Sequence, residues 1–311
     1  MLSKDLYETL PSESVFDGWD SLYKCFMERQ MDKKQWIFRG QRDSEWTFMT
    51  SLERAILNSK IDKNNAPPKC HPQYKEKIAQ LQKAVLEEGL EEVVNGEVKQ
   101  IRVPELEDRL LRRFQRQYHQ FAMNPPDKDA IIEWFALMQH YGAPTRLLDW
   151  TYSFFVALYF AIEHAENDCA VWALNADWLD RVLPCDVRIA VNNIEELNQQ
   201  TFEKLFRKEP RKLVASINPF RLNERLVIQQ GVFLFPGDIS KPFDDNLEAL
   251  LINQNPKEKL IKYTIKADAS VKREILYHLH RMNINRATLF PGLDGFAQSL
   301  KTFLAFPEIL K

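Results

Sequence analysis

The sequence predicts an α+β fold: a small, split, mostly antiparallel mixed sheet decorated by helices. Three observations carry that expectation. The strand-like segments are short and separated by helical stretches of mixed length, with no regular β-α alternation. No Gly-rich G-x-G-x-x-G is present, which disfavours a doubly wound dinucleotide-binding sheet. A chain of 311 residues, 45% hydrophobic and 28% charged, can bury a sizeable core in one elaborated domain. Residues 1–311 read as that domain, with helical inserts at about 55–128 and 192–220.

In chain order, residues 13–31 carry Trp19, Leu22, Phe26 and Met27 at helical spacing, a lead-in helix with Ser14, Asp17 and Ser21 as candidate starts. Trp36-Ile37-Phe38-Arg39-Gly40-Gln41 is an aromatic and β-branched run closed by glycine, hence a strand. Ser44 to Phe48 reads as a second short extended piece and Thr50 to Arg54 as a helix entry. Lys60 to Gln73, polar and Pro-containing, reads as an exposed loop. Tyr74 to Val93 and Pro104 to Phe121 are helical by periodicity, with Pro104 suited to a first turn and Glu105 and Glu107 near the positive end of the helix dipole. Asp129 to His140 is a short helix offering Ile132, Trp134, Phe135 and Met138 for burial.

That helix delivers the chain into residues 139–151, the stretch densest in unusual choices. Gly142 and Pro144 make a turn, Pro144 biases Ala143 toward extended geometry, and Thr145 to Asp149 enters a strand. Asp149, Trp150 and Thr151 end it, and Asp149 or Thr151 is placed to N-cap an apolar helix that starts near Ser153 and runs to Ile162. Further on, Ala170 to Leu174 is a buried strand and Val187 to Val191 a further short one. Ile194 to Leu213 ends in the basic string Arg207, Lys208, Arg211 and Lys212, either a solvated face or a partner-binding one. Arg225 to Phe235 reads as a strand pair or a bulged strand broken at Gly231. Leu260 to Ile265 is a strand, Ser270 to Met282 a helix, and Leu289 to Gly295 turns into a final helix reaching Leu304.

Composition narrows the function classes. A net charge of −2 and a pI near 6.4 give no global signature of nucleic acid, membrane or a highly acidic substrate. The cysteines Cys25, Cys70, Cys169 and Cys185 form no C-x-x-C, so reduced thiols and a cytoplasmic location are expected. No H-E-x-x-H exists, and His278 and His280 do not share a helical face, so no metal site is expected. No apolar run approaches the roughly 18 residues of a membrane span.

Phe38-Arg39-Gly40, Leu148-Asp149-Trp150-Thr151 and Gln229-Gln230-Gly231 each place polar side chains beside a break in an apolar segment. Converging, they would line a cleft with a fixed cation, hydroxyl and carboxylate groups and an amide. Arg39 is the costliest choice: a guanidinium among Trp36, Ile37 and Phe38 must be paired, for example with Asp149, or must face an anionic ligand. Its planar donor fork suits a phosphate or carboxylate, and Gly40 removes the Cβ that would obstruct a flat ligand.

The Phe38-Arg39-Gly40 triplet, the block Gln139 to Thr151 with Ala157-Leu158-Tyr159-Phe160-Ala161, and the later Arg225, Gln229-Gln230-Gly231 and Leu289 to Leu293 resemble the FRG-domain family over roughly Trp36 to Leu300. FRG domains have been likened to NAD-dependent ADP-ribosyltransferases, whose clefts carry a first-strand Arg or His followed by Gly, a Ser/Thr strand leading into a helix, and a later catalytic Glu. The resemblance implies a mono-ADP-ribosyltransferase-like enzyme with NAD as substrate and an unidentified macromolecular acceptor, protein or nucleic acid. Phe38, Arg39, Gly40, Thr151 and Tyr159 would bind NAD; Arg39, Asp149, Gln229 and Gln230 would serve catalysis. The chain departs from that pattern where Gln229 and Gln230 stand in place of the glutamate. The alternatives are plain NAD hydrolysis and a catalytically silent binding module that docks a partner through the Arg207–Lys212 face.

Overall fold

The computed structural model describes residues 2–12, 15–30, 36–61, 74–94, 97–193, 197–220, 224–252, 255 and 259–305. The strands are β1 (Glu8–Leu10), β2 (Trp36–Gln41), β3 (Leu90–Val94), β4 (Glu97–Ile101), β5 (Leu148–Thr151), β6 (Cys169–Asn175), β7 (Val214–Ile217), β8 (Gly231–Pro236) and β9 (Leu260–Ile265). Seven of them form one mixed sheet in the order β1-β9-β6-β2-β5-β8-β7, antiparallel except where β1 runs parallel to β9. The sheet is therefore larger than the small one expected from sequence, because β1 and β7 extend its two edges.

The sheet is continuous but nearly severed at one join. β2 pairs with β6 over all six of its residues, from Trp36↔Asn175 to Gln41↔Ala170, yet meets β5 only at Phe38↔Thr151. Continued antiparallel pairing would set Gly40 opposite Asp149. That pair does not form, and the strands open there.

The core follows the same division. On one face a continuous cluster holds Ile37, Phe48, Trp150, Trp172, Val232 and Leu234 beneath the helices Ala176–Val182 and Phe243–Leu251. On the other face the apolar side chains separate into two bodies. One packs Phe38, Val171, Ile261 and Tyr263 against the helices Trp19–Gln30, Phe154–Ile162 and Ala269–Arg281. The second packs Leu147, Ala215, Phe233 and Phe235 against Ile131–His140 and the helices of the second insert. β6 is buried along its whole length because both of its faces are covered, which is why its sequence lacks polar alternation.

Several elements depart from their sequence pattern. The helix starting at Tyr74 ends at Glu88, because Gly89 takes φ +83° and turns the chain into the β3/β4 hairpin. The first insert is thus not wholly helical. Residues Cys185–Asn192 are a helix rather than a strand, burying Val187, Ala190 and Val191 on one side. Arg225 lies in a helical turn, Glu224–Ile228, and only Gly231–Pro236 of that segment is a strand. The break falls at Gln230, at φ +49°, and not at the glycine. Ser44 to Phe48 is a turn followed by irregular chain. The expected loop at 60–73 lies almost wholly outside the described residues, as does Cys70. Among the described residues no helix is long and apolar enough to cross a membrane.

Candidate functional site

The opening between β2 and β5 leads into a cavity of ≈ 440 Å³. β2 supplies Phe38, Arg39, Gly40 and Gln41; β5 supplies Asp149, Trp150 and Thr151; the helix Phe154–Ile162 supplies Ala157 and Phe160. Arg225, Leu226, Gln229 and Phe233 close the far side.

Arg39 spans the opening. Its Nη1 donates to the main-chain oxygen of Asp149, the acceptor left free where the β2/β5 ladder stops. It does not use that residue's carboxylate. Its Nε is buried with no partner among the described residues, so part of the donor fork remains unspent. Burial lowers this guanidinium to about 10, with Asp149 opposing the shift and Arg54 reinforcing it. It stays charged at neutral pH.

Gly40 is required for a reason other than ligand approach. A Cβ there would lie 2.1 Å from the Ala157 oxygen and 2.6 Å from the Ala161 nitrogen. The glycine, together with Ala157 and Ala161, lets the helix backbone rest directly on β2. Gly40 still lines the cavity, but its missing side chain faces the helix.

The helix itself is capped by Ser153, whose hydroxyl accepts from Val156 N–H, and not by Asp149 or Thr151. Thr151 Oγ1 instead accepts from Ser153 N–H at 3.0 Å and donates to the Gln229 main-chain oxygen at 2.6 Å. One hydroxyl therefore fastens the end of β5 to the turn before β8. Gln229 is tethered on its other side, its Nε2 donating to the Leu289 oxygen at 2.9 Å. Gln230 does not line the cavity; its main-chain oxygen accepts from Tyr152 N–H. Tyr159 is also elsewhere: it is buried, and its hydroxyl donates to Glu163 Oε1 at 2.6 Å, burial and that bond pushing its pKa up. Of the residues expected from sequence, Phe38, Arg39, Gly40, Asp149, Thr151 and Gln229 meet in one cleft, whereas Tyr159 and Gln230 do not.

Electrostatically the cleft is one-sided. Arg39, Arg42, Arg54 and Arg225 line it, and Asp149 is its one carboxylate among the described residues; Glu224 does not line it. Arg225 stacks over the Phe290 ring at 4.5 Å, and burial lowers its pKa, with Asp149 opposing. His140 lines the same cavity and is held more neutral than usual by burial and by Arg225. Trp46, more than half exposed, forms an aromatic wall at the mouth. Arg42, Trp46, Arg54, Gln139 and His140 were not singled out from sequence. Gln139 and His140 stand inside the conspicuous 139–151 block, and Arg42 two residues after the Phe38-Arg39-Gly40 triplet, so proximity to those motifs was the available signal.

Three of the four residues of the basic string, Arg207, Lys208 and Arg211, lie against the chain's own carboxylates. The largely covered Arg207 side chain lies against Asp108 and Glu107, Arg211 pairs with Asp186 at 2.7 Å, and Lys208 approaches Glu203 at 3.9 Å. Sequence spacing does not reveal those partners.

Fold and site together define a protein of mixed helices and sheet with an arginine-lined cleft at a nearly broken join in its sheet. Residues 34–169 match the family model of the FRG domain, and over that segment the chain is an FRG domain. The match takes in β2, the first insert, β5 and the helix after it; Arg225, Gln229 and the residues around Phe290 lie beyond it. No curated protein and no solved structure matches the chain.

Proposed function

We propose that the cleft binds NAD as a substrate and that the protein is a mono-ADP-ribosyltransferase-like enzyme. The observation that carries this is the charge arrangement: four arginines and one carboxylate around a cavity of ≈ 440 Å³, with Arg39 Nε unpartnered. The size lies within the range of small-molecule sites, roughly 300–1,000 Å³. A pyrophosphate carries two negative charges, and charge-assisted bonds from guanidinium groups contribute about 1.5–3 kcal/mol each. The order Arg39-Gly40, then Thr151 ahead of an apolar helix, supports the likeness to ADP-ribosyltransferases.

Cleavage breaks the bond between the nicotinamide nitrogen and the ribose carbon. The bonding pair leaves with nicotinamide, and positive charge develops on the ribose. Asp149, exposed on its strand and lining the cavity, is the carboxylate available to stabilise that charge. An acceptor carboxylate, or an acceptor hydroxyl that gives its proton to the Asp149 carboxylate as the new bond forms, then closes on the ribose carbon, and water acting in the same way gives NAD hydrolysis. Gln229, with its amide nitrogen committed to Leu289, retains an oxygen that can orient a ribose hydroxyl.

A silent nucleotide-binding module is the alternative, favoured by the absence of a carboxylate at Gln229 and Gln230. Label transfer from NAD in cell extract, together with nicotinamide release, separates the two. Arg39→Ala is expected to weaken NAD binding at least tenfold by calorimetry, equivalent to about 1.4 kcal/mol. Unchanged affinity, or no NAD binding by the wild type, overturns the assignment.

A further inference from the structure

Asp149 is not left to choose its own orientation. Gln139, the penultimate residue of the helix Ile131–His140, donates from Nε2 to Asp149 Oδ2 at 2.9 Å. Its Oε1 accepts from the Thr145 hydroxyl at 2.6 Å and lies 3.2 Å from the Ser51 hydroxyl. Thr145 Oγ1 in turn accepts from Leu147 N–H, and Ser51 Oγ accepts from Thr145 N–H. Two main-chain N–H groups therefore set two hydroxyls, the hydroxyls set the amide oxygen, and the amide nitrogen is left facing the carboxylate.

The geometry points to Gln139 as the positioning residue that directs the Asp149 carboxylate and presents its second oxygen to the ligand. An NH₂ group can donate to a carboxyl group in either form, but the bond to an ionised carboxylate oxygen is charge-assisted and the stronger of the two. Asp149 Oδ1 has no protein hydrogen bond among the described residues, and the residue lines the cavity. The charged and titratable groups around it are Arg39 from β2, Arg54 from the helix Ser51–Lys60, Arg225 from Glu224–Ile228, Arg42, and the imidazole of His140. Gln139 is the one that fixes its direction.

The inference rests on the proposed role of Asp149 in nicotinamide release, and its test is arranged so that either can fail alone. Asp149 is titrated through its carboxyl carbon resonance, identified by its loss in Asp149→Asn, in wild type, Gln139→Glu and Gln139→Met. Glutamate keeps the oxygen that Thr145 and Ser51 contact and so keeps the fold, but places a like charge beside Asp149. The midpoint is expected to rise by about one pH unit or more in Gln139→Glu and by less in Gln139→Met. The acid limb of nicotinamide release should move with it. Unchanged midpoints in both variants overturn the positioning role even if the enzyme is active. A uniform loss of activity at all pH values with no shift of the limb does the same. If the wild type releases no nicotinamide, the enzymatic assignment falls, while the titration still decides for or against Gln139.

Discussion

At the scale of single residues, the cleft is shaped by what Gly40 lacks and by what Arg39 leaves unspent. Gly40→Ala would drive a methyl into the Ala157 oxygen and Ala161 nitrogen, main-chain atoms of a helix that cannot shift without disturbing the buried side chains on both sides. Overpacking of this kind costs about 1–3 kcal/mol, and here the upper end is expected, because backbone and not a flexible side chain receives the clash. A urea midpoint unchanged from wild type would show that the helix is not seated as described. Sequence identified both residues but assigned Gly40 to ligand approach, since a strand glycine fits a flat ligand or a second backbone equally well. Only the packing partner distinguishes them. Tyr159, readable from sequence either as a ring-stacking or as a core residue, takes the core position, since an aromatic in an apolar helix looks the same whether it faces a cleft or, as here, Glu163.

At the scale of elements, the helix Val103–Tyr118 is bound to the 139–151 block by charges in the interior. Arg146 and Glu107, both essentially inaccessible, make a bidentate pair, with Arg146 also over the Phe202 ring at 4.7 Å and Arg207 alongside. Glu107→Ala strands Arg146 in an apolar surround and is expected to cost about 3–5 kcal/mol. The double substitution Glu107→Leu with Arg146→Met should cost less than Glu107→Ala alone, because it removes the desolvated charges of that pair together. Chemical denaturation of the two variants checks this, and a double variant as damaged as the single one would place the effect in packing volume. Long elements such as Leu260–Ile265 and Ala269–Arg281 were legible because their periodicity and their burial agree. The segment 224–230 was not: its apolar, β-branched run favours a strand, yet the chain turns at Gln230, and the Thr151 hydroxyl holds the Gln229 oxygen from outside the segment. The Arg146–Glu107 pair was equally hidden, since residues 39 positions apart carry no local signature of contact.

At the scale of the whole molecule, two buried carboxyl groups, Glu53 and Asp244, are expected to make stability depend on pH. Glu53 caps the helix Ser51–Lys60, accepting from Thr50 N–H at 2.6 Å and from Phe243 N–H at 2.7 Å, and so joins that helix to the start of Phe243–Leu251. Burial pushes its carboxyl up to about 8, against the two N–H bonds and with help from Asp244. Asp244, which accepts from Phe48 N–H, is pushed up to about 6, again chiefly by burial. Both groups bind a proton more tightly folded than unfolded. Their contribution to stability is therefore full below the ordinary carboxylate range and is lost as pH rises, through about 6 for Asp244 and about 8 for Glu53. The melting temperature should fall between pH 5 and 8.5, roughly, where many carboxylate-rich proteins are flat. Glu53→Gln replaces the titrating group by a neutral one that keeps an oxygen for one of the two N–H donors. It should melt lower at acid pH but lose the slope above pH 7, roughly, leaving only the decline near 6 that belongs to Asp244. A melting profile of Glu53→Gln parallel to the wild type across the whole range would mean that Glu53 is already ionised in the folded protein, held by its two main-chain donors against the cost of burial.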